Sequence, residues 1–92
     1  MAFVYILKCS DNSYYVGSTT NLTLRIEEHK HGEGANYTKT RLPIELVYYE
    51  ECQSIETAFE RERQLHGWSR KKKEALIKNM HDKLPELSKR YT

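Results

Sequence analysis

Long hydrophobic runs are absent from this 92-residue chain. The N-terminal apolar run, Phe3–Leu7, is far too short to span a bilayer, and it lacks the basic start and small-residue cleavage site of a signal peptide. Cysteine is also scarce, since Cys9 and Cys52 cannot build a disulfide framework and both lie in strand-like contexts where a thiol packs as a small hydrophobe. These absences predict a cytoplasmic protein with no membrane partner.

Glycine and proline are sparse, at four and two residues, and no repeat, linker or low-complexity tract interrupts the chain. Hydrophobic residues make up 38% and charged residues 30%, which is typical of a globular domain. A chain of this length has room for one compact core. We expect one domain over residues 1–82 and a tail over residues 83–92.

The net charge of +2 conceals an uneven distribution along the chain. Residues 69–92 contain eight Lys and Arg against three acids, whereas residues 1–68 contain seven against ten. A basic C-terminal third can follow a phosphate backbone, although a solvated basic helix has the same composition.

Hydrophobic periodicity and turn residues predict the element order ββαβαα. Apolar residues occupy both faces of the first strand, which indicates an interior strand. The expected fold is therefore α+β, with a small three-stranded, mostly antiparallel sheet flanked by helices. The predicted strands cover residues 3–9, 14–17 and 44–52, and the predicted helices begin at the capping residues Asn21, Ser54 and Ser69.

One acidic residue, Glu62, has an unusual position in the second long helix. The apolar residues of this helix, Ile55, Ala58, Phe59 and Leu65, have the spacing of one buried stripe. At about 100° per residue, Glu62 falls in the middle of that stripe. A carboxylate on an inward face needs an ion pair, hydrogen bonds or a metal. An ion pair with Arg25 or a lysine and a magnesium or manganese site both remain open at this point.

Several motifs together resemble the GIY-YIG nuclease superfamily, and in particular its small stand-alone bacterial members with a single domain. Phe3-Val4-Tyr5 and Tyr15-Val16-Gly17 are similar to the two halves of the signature, with Phe3 where the first half is named for glycine. Residues 21–29 resemble the following helix with its arginine and histidine. Residues 58–65 resemble the helix with the metal-binding glutamate, and residues 67–73 resemble the basic stretch of the small members.

The resemblance implies a metal-dependent nuclease that hydrolyses DNA phosphodiester bonds with one Mg²⁺ or Mn²⁺. It assigns the metal to Glu62, the phosphate contact to Arg25, and the positioning or deprotonation of the attacking water to Tyr5, helped by Tyr15. His29 shares a helix face with Arg25, and it would orient Tyr5 or pass a proton. Tyrosine is a weak base, so Arg25 and the metal are expected to lower the pKa of Tyr5.

Two departures from the family pattern leave open which group acts as the base. Ser18 stands where related enzymes place a lysine, and His66 stands at a helix position that is often lysine in the small members. His29 and His31 could suggest a metal pair, but no third ligand has suitable spacing for zinc.

The expected substrate is DNA that is single-stranded, branched or damaged, with a protein partner for targeting. Gly17 is expected at a tight turn on the edge of the site. Basic residues in the loop before the third strand and at the start of the last helix are the other candidate DNA contacts, and Tyr37 could stack a base. The candidate nucleic-acid contacts are Gly17, Lys39, Arg41, Arg70, Lys71, Lys72 and Lys73.

Two further classes of function remain open beside the enzyme. The first is a nucleic-acid-binding module with the same fold and little catalysis, and the second is a protein-interaction domain that uses exposed tyrosines of the third strand. Tyr5 and Tyr15 could also be only a cross-strand aromatic pair. A three-residue hairpin loop, expected at residues 11–13, would put both on one face, whereas a two-residue turn would put them on opposite faces.

Overall fold

The computed structural model describes residues 1–82, and the predicted tail, residues 83–92, lies outside the described residues. The predicted order of the three strands and three long helices is confirmed. One element is not predicted from the sequence, a single-turn helix in the loop before the third strand. The elements are β1 (Ala2–Lys8), β2 (Tyr14–Thr19), α1 (Leu22–Lys30), α2 (Asn36–Lys39), β3 (Glu45–Cys52), α3 (Ile55–His66) and α4 (Arg70–Asp82).

The sheet has the order β2-β1-β3 and is antiparallel throughout, so β1 is the interior strand as predicted. Tyr5 lies opposite Gly17, and Leu7 lies opposite Tyr15. Because side chains alternate between the faces of a strand, this register places Tyr5 and Tyr15 on the same face.

The hairpin loop has three residues, but it covers residues 10–12 rather than the predicted 11–13. The backbone N–H of Cys9 donates to the carbonyl of Ser13, and the N–H of Asn12 donates to the carbonyl of Cys9. Asn12 has a φ of +67°, a left-handed conformation that asparagine adopts more readily than most residues. A shift of the loop by one residue does not change which face Tyr5 and Tyr15 share, because the loop keeps an odd length.

Apolar side chains pack on both faces of the sheet. On one face, the first hydrophobic cluster joins the strands to α3 and α4 and consists of Ala2, Val4, Ile6, Val16, Tyr48, Ala58, Leu65 and Ile77. On the other face, the second cluster joins the sheet to α1 and the loop before β3 and consists of Tyr5, Leu7, Cys9, Ile26 and Ile44. Tyr5 is therefore both a core residue and a candidate site residue.

The long helices begin at the predicted capping residues. The side chains of Asn21 and Ser54 accept hydrogen bonds from the backbone N–H groups of Leu24 and Thr57, and the hydroxyl of Ser69 accepts one from Lys72. Within residues 1–82, no helix combines the length and the apolar character that crossing a membrane requires.

The buried stripe of α3 is narrower than the sequence predicted. Ala58 and Leu65 are fully buried and form its centre, whereas Phe59 is 51% exposed. Phe59 is offset by about 100° from Ala58 on the helix, so its ring lies outside the buried stripe. Glu62 is about 40° from Ala58, on the same side as Phe59, so it flanks the stripe.

The tyrosines of β3 are less exposed than a protein-interaction surface on this strand would require. Tyr48 is 8% exposed, belongs to the first cluster and donates a hydrogen bond to Glu50. Tyr49 is half-buried and its ring lies 6.5 Å from that of Phe3. The expected surface of exposed tyrosines is therefore not formed.

Candidate active site

A buried pair, Tyr5 and His29, lies at the centre of the candidate site. Tyr5 is 1% exposed on β1, and His29 is fully buried in the last turn of α1. The Tyr5 hydroxyl and His29 Nε2 are 2.8 Å apart and hydrogen-bonded. The two rings meet edge to face with centroids 5.7 Å apart. The predicted contact of His29 with Tyr5 is thus formed in the free protein.

Gly17 provides the space that Tyr5 occupies. A Cβ atom at Gly17 would lie 2.5 Å from the Tyr5 hydroxyl oxygen and 2.6 Å from its Cζ, closer than real Cβ contacts. Gly17 lies within β2 rather than at a turn, so the expected reason for its glycine is wrong. Because Gly17 is also buried, its backbone is a poor candidate for a nucleic-acid contact.

The second nitrogen of the His29 ring contacts α2, the element that the sequence analysis missed. His29 Nδ1 lies 2.8 Å from the hydroxyl of Thr38, which is fully buried. Gly34 packs on the same ring, since a Cβ there would lie 2.6 Å from His29 Cγ. Thr38 and Gly34 therefore fix the position of the histidine, and no periodicity in the sequence points to either of them.

Tyr15 covers the pair on the side of the site that is partly open to solvent. It is half-buried, and its ring centroid lies 6.4 Å from that of Tyr5 and 5.4 Å from that of His29. Tyr37 stacks beside Tyr15 at 6.0 Å, and the guanidinium of Arg41 lies 3.9 Å over the Tyr37 ring. Tyr15 thus belongs to an aromatic group that continues from the buried pair to the surface.

Arg25 approaches the same hydroxyl from α1. It precedes His29 by one helical turn, as predicted, and it interacts with the Tyr5 hydroxyl closely enough to lower the pKa of that group. Its Nη1 also donates to Glu28 at 3.2 Å. The guanidinium is therefore held against Tyr5, with 30% of its side chain exposed.

Glu62 reaches the site from α3, across the edge strand β2. Its side chain is 28% exposed, and its Oε1 accepts a hydrogen bond of 2.5 Å from the hydroxyl of Ser18. Its Oε2 lies 3.3 Å from His66 Nε2. Among residues 1–82, no lysine or arginine pairs with Glu62, so the alternative of an Arg25 or lysine ion pair is not supported. The two positions that depart from the family pattern are the neighbours of this carboxylate.

The charge of Glu62 affects both signature tyrosines. Its negative charge raises the pKa of Tyr5 and that of Tyr15. In both cases burial is the largest cause of the increase, and Arg25 acts in the opposite direction. Arg25 and Glu62 therefore act in opposite directions on the pKa values of the same two hydroxyls.

Tyr5 and His29 are both neutral near pH 7. Burial raises the pKa of Tyr5 to about 12, and the opposing effect of Arg25 is too small to prevent this. Burial also lowers the pKa of His29 to about 4, with a smaller contribution in the same direction from the charge of Arg25. The expectation that Arg25 would make Tyr5 more acidic is correct in sign, but desolvation outweighs it.

The groups around Glu62 fit a hard cation that keeps most of its coordination shell for water and phosphate. A half-buried carboxylate and a hydroxyl supply oxygen donors, as Mg²⁺ and Mn²⁺ prefer. No group of three or more His, Cys, Asp or Glu side chains in the described part of the chain could hold a metal. The donor set is therefore of the kind that suits a divalent cation with most of its ligands supplied by water and phosphate.

Most of the candidate DNA contacts lie outside this site, and two of the arginines have intramolecular partners. Arg41 binds Asp11 at 3.1 Å and the carbonyl of Tyr37 at 2.9 Å, so its guanidinium ties the hairpin loop to α2. Arg70 pairs with Glu74 at 3.3 Å and lies over the ring of Tyr14. The exposed residues of the set are Lys39, Arg70, Lys71 and Lys72, and Lys73 is half-buried.

Comparison with known proteins identifies the family. The family model described as the GIY-YIG catalytic domain matches residues 1–75. The chain belongs to the GIY-YIG family. This family is a nuclease superfamily, and its members typically use divalent metals and act on nucleic acid.

The relatives of this GIY-YIG chain are small proteins of similar length. A UPF0213 protein of Natronomonas pharaonis is 47% identical over 75 residues, which cover 82% of this chain and 88% of the relative. A UPF0213 protein of Staphylococcus aureus is 46% identical over 76 residues, covering 83% and 93%. The predicted resemblance to small GIY-YIG proteins with a single domain is thereby confirmed.

Solved structures have the same fold. The solution structure of a UPF0213 protein from Bacillus halodurans is 43% identical, with a TM-score of 0.55 over 85% of this chain and 84% of that one. The solution structure of a protein from E. faecalis is 33% identical, with a TM-score of 0.57 over 86% and 84%. The predicted α+β architecture is confirmed by these similarities.

Proposed function

We propose that this GIY-YIG chain is an endonuclease that hydrolyses phosphodiester bonds in DNA with one Mg²⁺ or Mn²⁺ held by Glu62. The observation that carries this proposal is the set of groups that act on the Tyr5 hydroxyl, which lies against Gly17 of β2. His29 is hydrogen-bonded to this hydroxyl, and Arg25 and Glu62 shift its pKa in opposite directions. Phosphodiester hydrolysis needs a proton acceptor, a phosphate-binding cation and an anchor for a metal, and these residues supply all three.

The proton path would begin at the attacking water and end at His29. Tyr5 is nearly fully buried, so its hydroxyl would meet this water at the floor of a cleft beneath the partly exposed Tyr15 and Arg25. As the water attacks phosphorus, its proton would pass to the Tyr5 oxygen while the Tyr5 proton passes to His29 Nε2, 2.8 Å away. Both groups are neutral before the attack, with a pKa of about 12 for Tyr5 and about 4 for His29, so the transfer would depend on the negative charge that develops on the attacked phosphate to stabilise the imidazolium.

Arg25 and the metal would share the negative charge of the phosphate. The guanidinium is a planar fork of donors that suits phosphate oxygens and stays charged at any working pH. When bound, the metal would supply a Lewis acid for a phosphate or leaving oxygen. Ser18 would hold the Glu62 carboxylate in place through its 2.5 Å hydrogen bond, while Tyr15 would shield the reacting atoms from bulk water.

The proposed substrates are single-stranded, branched or damaged DNA, with a protein partner that directs the enzyme to them in the cytoplasm. The exposed lysines Lys39, Lys71 and Lys72 would contact the phosphate backbone, with Lys73 and Arg70 beside them. Arg41 is left out of this surface because its guanidinium is bonded to Asp11 and to α2. Tyr37 is left out as a stacking platform because Arg41 covers one face of its ring.

The test is a cleavage assay with labelled single-stranded, duplex and forked DNA in Mg²⁺, Mn²⁺ or EDTA. We expect the wild type to cleave DNA only when the metal is present. Glu62→Gln should abolish cleavage but keep DNA binding, and Arg25→Ala should slow cleavage strongly. Glu60→Gln is the matched control, because Glu60 is an exposed glutamate of the same helix. This variant should cleave DNA like the wild type. Wild-type binding without cleavage would favour a binding module, and indifference to DNA at every salt concentration would favour a protein-interaction domain.

A further inference from the structure

Thr38 is a buried polar residue that the proposed mechanism does not use. Its hydroxyl lies 2.8 Å from His29 Nδ1, 3.1 Å from the carbonyl oxygen of Ala35 and 3.4 Å from the Ala35 backbone nitrogen. A hydroxyl has one proton to donate and can accept from two donors. The direction of each bond therefore follows from what its neighbours are able to do.

On the α2 side of Thr38, the carbonyl of Ala35 can only accept a hydrogen bond, and the N–H of Ala35 can only donate one. If Thr38 donates to the carbonyl, its oxygen accepts from both the Ala35 N–H and His29 Nδ1–H, and every contact is a hydrogen bond. If Thr38 donates to His29 instead, two oxygens face each other at 3.1 Å with no proton between them. The first arrangement is the better satisfied one in a buried site.

The contacts of Tyr5 independently indicate the same position for the proton of His29. The guanidinium of Arg25 interacts with the Tyr5 hydroxyl and can only donate. If His29 Nε2 also carried a proton, the proton of the Tyr5 hydroxyl would have no acceptor among the contacts of the described residues. Tyr5 therefore donates to Nε2, and the histidine proton is on Nδ1.

We propose that Thr38 is a positioning residue that holds His29 in the Nδ1–H tautomer, so that Nε2 is free to take the proton of Tyr5. The role of this proton transfer in hydrolysis rests on the proposed function, whereas the tautomer does not. During the transfer the Tyr5 O–H bond breaks, the proton binds Nε2, and the Nδ1–H bond to Thr38 remains. Gly34 supports the arrangement, because its missing side chain lets the ring lie between Thr38 and Tyr5.

The direct test is the tautomer of His29, measured by long-range ¹H–¹⁵N correlation on the labelled full-length protein at pH 7.5. The chain has four histidines, so the signals of His29 are assigned by their loss in His29→Gln. We expect the Nδ1–H form in the wild type, in Thr38→Ser, which keeps the hydroxyl, and in Tyr5→Phe, which keeps Thr38. An Nε2–H form in the wild type, or a switch of tautomer in Tyr5→Phe, would overturn the proposal.

Thr38→Val has nearly the same shape as the wild type and lacks the hydroxyl. We expect the ratio of Nδ1–H to Nε2–H forms to fall by about 5- to 100-fold in this variant, because the buried Nδ1–H loses its acceptor. Retention of a single Nδ1–H form would contradict the role of Thr38. If this variant does not fold, the wild type, Thr38→Ser and Tyr5→Phe still decide the question.

The cleavage assay provides the second readout. Thr38→Val should lower kcat about 10- to 100-fold with little change in KM, and Thr38→Ser should restore most of the rate. A higher KM with an unchanged kcat would contradict a role in proton transfer. If the wild type cuts no DNA, the proposed function fails, and the tautomer measurement still stands or falls by itself.

Discussion

His29 should make the stability of this protein depend on pH between about 6.5 and 4. Burial lowers the pKa of His29 from its ordinary 6.5 to about 4, with Arg25 acting in the same direction and Glu28 against it. Below about pH 6.5 the unfolded chain takes up a proton on His29, whereas the folded protein takes it up only near pH 4. The contribution of neutral His29 to stability is therefore complete above pH 6.5 and is lost as the pH falls.

The size of the effect follows from the two pKa values. Because one pH unit corresponds to about 1.4 kcal/mol, the free energy of unfolding should fall by about 2 kcal/mol between pH 8 and pH 5, and by about 3 kcal/mol at pH 4. This is a large part of the stability of a small domain, which is on the order of 5 kcal/mol. Urea unfolding at pH 8, 6.5 and 5 measures it directly.

Two variants separate His29 from the other titrating groups. His29→Gln should be less stable than the wild type at pH 8, but it should lose at least about 1 kcal/mol less than the wild type on going to pH 5. His31→Gln is the control, because His31 is exposed at the end of the same helix and should keep the wild-type dependence. Equal losses in the wild type and His29→Gln would refute the reasoning.

Three further substitutions test the packing around the site. Gly17→Ala should push the Tyr5 hydroxyl by nearly 1 Å, break its 2.8 Å bond to His29 and lower the free energy of unfolding in urea by about 1–3 kcal/mol; a fully stable variant that cleaves DNA normally would contradict this. Leu65→Ala should cost about 2–5 kcal/mol because Leu65 is fully buried in the first cluster. Phe59→Ser should change the same quantity by less than about 0.5 kcal/mol, since Phe59 is 51% exposed, and a loss as large as that of Leu65→Ala would show that the helix face is assigned wrongly.

The sequence predicted the sheet and the long helices because their signals are local. Strand composition, turn residues and capping residues each depend on a few neighbouring positions, and Asn21, Ser54 and Ser69 cap the helices as expected. The interior position of β1 followed from its two apolar faces. The error at Phe59 has a simple origin, because periodicity gives the direction of a helix face but not its width.

The site could be predicted only in part, because local sequence patterns do not indicate how deeply a side chain is buried or which distant residues it contacts. Tyr5, Arg25 and Glu62 were found from the family motifs and the helix spacing, but the depth of Tyr5 was not, and this depth reverses the expected change in its pKa. Gly34 and Thr38 lie in a loop with no periodicity, and their importance depends on a ring brought from α1. Ser18 was noticed as a departure from the family, although its bond to Glu62 could not be foreseen.

The most direct test of the account is a double-variant cycle on the single-turnover rate of DNA cleavage with saturating metal. Tyr5 and Glu62 lie on different elements, β1 and α3, and the account places them in one catalytic site. We expect Tyr5→Phe and Glu62→Gln each to slow cleavage by at least about 100-fold, and the double variant to be no slower than the slower single one, as for residues that act as a unit. Wild-type rates in either single variant, or two losses that simply multiply, would contradict it.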